Sequence, residues 1–181
     1  SNRLCETFML TILSNARRLL KGENSLEVWS ELALAGNFGH NGVCDLGREG
    51  DWACHGMEHE LSGFYDVAHG AGMTVLLPAW MKYVYREDIP RFERFAEKIM
   101  GAEAEGMRPE EPAREGIKRL EEFFKALGMP TNMSELGIGD RSLYETMAKR
   151  AVGFGTPMYA RLGGIKKLDV EDIVNILELA E

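Results

Sequence analysis

The sequence contains no apolar run that approaches the ~20 residues needed to span a bilayer. Its "MTVLLPAWM" segment is too short and carries Pro78. Basic residues are scarce, with 21 Lys and Arg against 29 Asp and Glu and a formal charge of −8. That balance argues against binding to a phosphate backbone, which draws on clustered cations. Arg17-Arg18 and Lys166-Lys167 read as solvated helix ends and loop charges. Cysteine is rare and odd in number: Cys5, Cys44 and Cys54 show no paired spacing, and no secretory apolar segment opens the chain. A soluble protein of a reducing cytoplasm, with neither nucleic acid nor membrane as partner, is the expectation. Nucleotide fingerprints are missing too. Gly-x-Gly occurs at 70/72, 137/139 and 153/155, yet none continues as G-x-G-x-x-G after a strand. The start at Ser1-Asn2-Arg3 lacks methionine, which reads as a processed chain or one that begins inside a longer protein.

What is present has helical period. Apolar residues at 4, 5, 8, 9, 12, 13, 16, 19 and 20 form one stripe, predicting a helix over 4–20. Asn24 with Glu27 reads as a cap and its return partner, opening a helix that ends near Gly36. Asp51 predicts the start of a helix to about Phe64. Asp88 precedes another, with Pro90 in its first turn. A polar link over 101–112 leads to a helix that carries Ile117, Leu120, Phe123, Phe124 and Leu127 inward. That helix stops at Gly128 in the left-handed cap position, with Pro130 beyond. Asp140 and Asp169 predict two further starts. No segment alternates convincingly with period two, and no internal repeat is found. The expected class is an all-α helical bundle with one core.

Histidine is the most unevenly placed residue. His40, His55, His59 and His69 are the whole complement, and none follows. His55 and His59 stand one turn apart on one helix face. Along an unbroken helix His69 would lie ~21 Å from His55, whereas two nitrogens on one ion are at most ~4 Å apart. A shared metal therefore requires a break between them. Gly63 and Asp66 supply it, with Asp66 read as the cap of a second helix whose first turn holds His69. Two metal readings stand beside the bland one, in which the histidines only pack or hydrogen-bond. In the first, "HGMEH" matches H-x-x-E-H, with Glu58 activating water as in an inverted zinc metalloprotease. It leaves His69 unexplained. The second uses the whole stretch, with His69 included. Cys54, about 100° from His55 around the helix, reads as packing. Met57, Met73, Trp52 and Trp80 read as core packing ahead of the alternative, the lining of an apolar pocket for a short-chain substrate.

The pattern "DWACHGMEHELSGFYDVAHGAGMTVLLPAWMKY" resembles the C-terminal domain of the iron-containing alcohol dehydrogenases, most nearly the butanol dehydrogenase and aldehyde reductase branch. The likeness extends through "WSELALAGNFGHNG", "FKALGMPTNMSELGI" and "GGIKKLDVEDIVNILELA", essentially all 181 residues. It implies the helical C-terminal metal-binding domain of the dehydroquinate synthase-like, iron alcohol dehydrogenase fold. It also implies a cytoplasmic, homodimeric parent oxidoreductase that takes NAD(P)H and Fe²⁺, or Zn²⁺ in its place, and interconverts small alcohols and aldehydes. Carried over by position, His55 and His69 are metal ligands. His59 is a catalytic histidine near nicotinamide and substrate. The family also uses an Asp-x-x-x-His pair on a preceding helix, and none precedes Leu4. The expectation is thus an excised helical domain, without the N-terminal dinucleotide-binding domain, that is inactive alone and binds metal weakly or not at all. A degenerate stand-alone relative and a non-catalytic helical binding module are the alternatives.

Overall fold

The computed structural model describes residues 2–103, 105–108, 110–153 and 162–181. The glycine pair at 153/155 and part of the tail before Leu162 therefore lie partly outside the described residues. Among those residues the structure is helical, with an isolated backbone bridge between Leu162 and Leu168. No helix there is long and apolar enough to cross a membrane. The chain divides into two compact units, one ending at Gly50 and the other beginning at Asp51.

In the first unit, α1 (Asn2–Leu20) packs on α2 (Leu26–His40) through Leu13, Ala16, Val28 and Ala35. Phe8 and Phe38 stack with centroids 5.3 Å apart. Pairing the start of α1 with the end of α2 in this way makes the two helices antiparallel. Two details differ from the sequence expectation. The cap of α2 is Ser25, whose Oγ accepts from the Val28 amide, while Asn24 accepts from the Trp29 indole N–H. Two adjacent residues can both cap, and the chain turns helical one position later than Asn24 requires. Nor does Gly36 end the helix. It keeps helical backbone, and α2 runs on to His40, because a glycine stops a helix only where a positive φ follows.

The second unit holds α3 (Ala53–Tyr65), α4 (His69–Val84), α5 (Ile89–Lys98), α6 (Glu111–Ala126), α7 (Tyr144–Gly153) and α8 (Val170–Leu179). Several caps are as expected. Asp88 Oδ1 accepts from the Arg91 amide with Pro90 in the first turn, and Gly128 takes φ 73° beyond α6. Asp169 and Asp172 form a reciprocal capping box on α8. Asp140 does not cap α7. It closes a turn by accepting from Ser142, and the helix begins at Tyr144. The core is built from Leu61, Leu76, Ile117, Met133, Met147, Leu168, Ile173, Ile176 and Leu177, all essentially inaccessible to solvent.

Helices α5 and α6 meet at their backbones. A Cβ added to Gly116 would lie 2.5 Å from the Cβ of Ala96 and 2.7 Å from its Cα. Neither atom can rotate away, so overpacking outweighs the helix propensity alanine gains, about 1 kcal/mol. Gly116→Ala is expected to destabilise the chain by about 1–3 kcal/mol, lowering Tm by roughly 2–4 °C per kcal/mol. Thermal unfolding followed by circular dichroism checks this. An unchanged or higher Tm would mean that the two helices separate without cost.

Candidate metal centre

The centre is built where one helix ends and the next begins. Asp51 anchors the start of α3 from outside it. Its Oδ1 accepts from the Ala53 amide at 3.0 Å, and its Oδ2 accepts from Gly164 and Ile165 at 2.8 Å each. The formal cap position is Trp52, so the aspartate the sequence points to also ties the helix to the 163–165 loop. Helix α3 buries Ala53, Cys54, Met57, Glu58 and Leu61. At helical spacing this leaves His55 and His59 one turn apart on the other side, half-buried and exposed respectively.

Asp66 ends α3 instead of capping α4. It takes the left-handed conformation, φ 53° and ψ 38°, and returns its amide to the Ser62 carbonyl. Aspartate tolerates this region better than most residues because its short polar side chain can bond locally. Ala68 is the cap residue of α4. His69 stands at its first position, as the break requires.

The outcome is a cluster of three rings. The centroids of His55 and His69 are 5.2 Å apart, those of His59 and His69 5.7 Å, and those of His55 and His59 6.4 Å. With metal–nitrogen bonds near 2.0–2.1 Å, a ligand ring's centroid lies roughly 3.3 Å from its ion, so two rings sharing an ion at a tetrahedral angle stand roughly 5–6 Å apart. The His55–His69 and His59–His69 separations both suit a shared ion; the third, 6.4 Å, lies beyond that range. His40 belongs to the other unit, at the end of α2. Trp52 is exposed and sets its ring edge-on to His55 with centroids 5.0 Å apart, so it borders the cluster and is not the core residue the sequence suggests. Met57 and Trp80 are core, and Met73 is half-buried. Cys54 is buried, and its burial, with Asp51 nearby, pushes the thiol well above its ordinary pKa. It packs on the buried face of α3, with Ala53, Met57 and Leu61.

Sequence reasoning missed the carboxylate behind the rings. Glu58 has no exposed surface, and its Oε2 is paired with His69 Nδ1 while its Oε1 accepts from the Ser62 hydroxyl. Ser62 Oγ also lies 3.0 Å from the Val67 carbonyl in the break. Glu58, His59 and His69 each offer one donor atom, all within 4.8 Å of one another. A fully enclosed glutamate does not front a water molecule, which the protease reading of "HGMEH" requires. The donor set of imidazoles and carboxylate, without thiolate, suits Fe²⁺ or Zn²⁺.

Residues 1–180 match the family model described as Fe-containing alcohol dehydrogenase family, C-terminal. The NADH-dependent butanol dehydrogenase A of Clostridium acetobutylicum is 33% identical over 178 residues, which are 97% of this chain and 44% of that protein. Among solved structures, the NADH-dependent butanol dehydrogenase A from Thermotoga maritima matches with a TM-score of 0.89 and 38% identity, over 99% of this chain and 45% of that one. The aldehyde reductase YqhD from E. coli shares the fold, with a TM-score of 0.86 at 24% identity, over 99% of this chain and 46% of its own. The chain thus spans somewhat less than half the length of the relatives it matches.

Proposed function

Because the chain belongs to the Fe-containing alcohol dehydrogenase family and matches its C-terminal domain, we propose that it is the metal-holding half of an NAD(P)H-dependent, butanol dehydrogenase-like enzyme acting on small alcohols and aldehydes. The observation that carries the reading is the approach of His55 and His69 to 5.2 Å across the break between α3 and α4. Only a helix interrupted between them brings two residues fourteen apart onto one ion. His55 and His69 hold Fe²⁺, or Zn²⁺ in its place. When bound, the ion supplies Lewis-acid polarisation of the substrate oxygen. His59, exposed and one turn beyond His55, holds or moves a proton at that oxygen. The Trp52 ring borders His55, with centroids 5.0 Å apart. The net reaction moves a hydride between nicotinamide and the alcohol or aldehyde carbon. A nucleotide-binding half and the remaining ligands come from a partner domain, and the parent is a cytoplasmic homodimer.

Two neutral imidazoles supply neither the carboxylate charge nor the ligand count of a closed site. The 181-residue chain is therefore expected to show no alcohol dehydrogenase activity and only weak metal affinity. Calorimetric titration checks this: tight one-to-one Zn²⁺ or Fe²⁺ binding by the monomeric chain would contradict it. Peptide cleavage abolished by Glu58→Gln would support the protease reading instead.

A further inference from the structure

The buried carboxylate of Glu58 is costly to enclose, and its surroundings are shaped to keep it there. It carries no exposed surface. Ser62 donates to Oε1, and Oε2 faces His69 Nδ1. Gly72, on α4, leaves the room: a Cβ at that position would lie 2.6 Å from Glu58 Oε1 and 2.8 Å from its Cγ. Two helices thus converge on one side chain: α3 carries it and bonds it through Ser62, and α4 sets His69 against it and makes space for it at Gly72.

A carboxylate that keeps its charge only accepts hydrogen bonds, and the pairing of Oε2 with Nδ1 then places the proton on the His69 nitrogen. A neutral imidazole has one protonated nitrogen, and its hydrogen bond decides which. With Nδ1 protonated, the lone pair falls on Nε2. We propose that Glu58 is the positioning residue of this centre, fixing both the orientation of the His69 ring and its tautomer so that Nε2 is the atom offered to an ion. This deepens the reading of the histidines as a metal centre and rests on it for its purpose, though not for its test. A carboxylate behind a ligand histidine also raises the basicity of the nitrogen on the metal side. Glu58 acts through His69 and does not need to touch the ion.

The test uses the 181-residue chain and two readouts. Long-range ¹H–¹⁵N correlation spectra of the metal-free chain, in mildly alkaline buffer, report which His69 nitrogen is protonated. Zn²⁺ titration followed on the same His69 resonances reports affinity. The wild-type chain is expected to show His69 protonated at Nδ1. Glu58→Met, similar in length but without an acceptor, should release the ring toward Nε2 protonation and weaken Zn²⁺ binding by about 10–100-fold, the scale of outer-shell losses at metal sites. Glu58→Gln, isosteric and still able to accept through its amide oxygen, should keep the Nδ1 proton and lose less affinity. Circular dichroism identifies a variant that fails to fold, and Gly72→Ala, which crowds Glu58 without altering it or His69, then serves in its place with the same expected tautomer change. A wild-type His69 protonated at Nε2, or a tautomer indifferent to Glu58→Met and to Gly72→Ala, would overturn the proposal. The Glu58-dependent tautomer supports the positioning role whether or not the isolated chain binds Zn²⁺, because the remaining ligands of the proposed centre come from a partner domain.

Discussion

Replacing His55 or His69 by alanine in the full-length enzyme is expected to empty the metal centre and to lower kcat/KM by about 10³-fold or more. The loss follows from what the ion contributes. Lewis-acid stabilisation of developing oxygen charge is worth several kcal/mol, and each 1.36 kcal/mol is about a factor of ten in rate. On the proposed reading each of the two rings supplies one bond to the ion. His59 stands one turn from His55, with centroids 6.4 Å apart, and its ring also lies 5.7 Å from that of His69, so metal content in the His55→Ala enzyme tests whether His59 can stand in. Elemental analysis beside the kinetics separates loss of metal from loss of fold, which circular dichroism reports. A His55→Ala enzyme that keeps its full metal complement would remove His55 from the ligand set.

His59→Ala is expected to behave differently. The metal should stay, while kcat/KM falls on a scale with the handover of one proton, about 10²–10⁴-fold. The upper end is reached only if no water relays the proton in the histidine's absence. The exposed position of His59, beside a half-buried His55 and an exposed His69, allows such a relay. If His59→Ala empties the site as completely as His55→Ala, then His59 is a ligand. If it changes neither metal nor rate, it is a packing histidine.

Which parts of this were readable in advance follows from the range of the interactions. Asp88 with Pro90, Gly128 beyond α6 and the Asp169–Asp172 box are caps written within four residues, and they stand as the sequence predicts. Where two residues compete for one role, local reasoning slips: Ser25 caps α2, and Asn24 turns to Trp29. The break between His55 and His69 was legible because helical geometry forbids a shared ion without it. Its mechanism was not. Asp66 reads equally well as a stop or a start, and only the left-handed backbone shows that it ends α3. Glu58 was visible as the fourth residue of "HGMEH", but its role depends on His69, eleven residues on and across the break, and on the space Gly72 leaves. No spacing rule within one helix encodes that meeting. Trp52 reads as core from its size, yet it is exposed and lies against His55, because α3 starts right after it and turns its buried face the other way.

The central claim is the identity of the two rings that bind the ion, because Glu58, His59 and His69 also bring donor atoms within 4.8 Å of one another. Anomalous diffraction at the iron or zinc edge, from crystals of the full-length enzyme loaded with that metal, locates the ion directly. The account predicts a single peak within bonding distance of His55 and of His69 Nε2, about 2.0–2.2 Å, with His59 farther away and Glu58 still on His69 Nδ1. A peak held by Glu58 and His59, with His55 turned away, would contradict it.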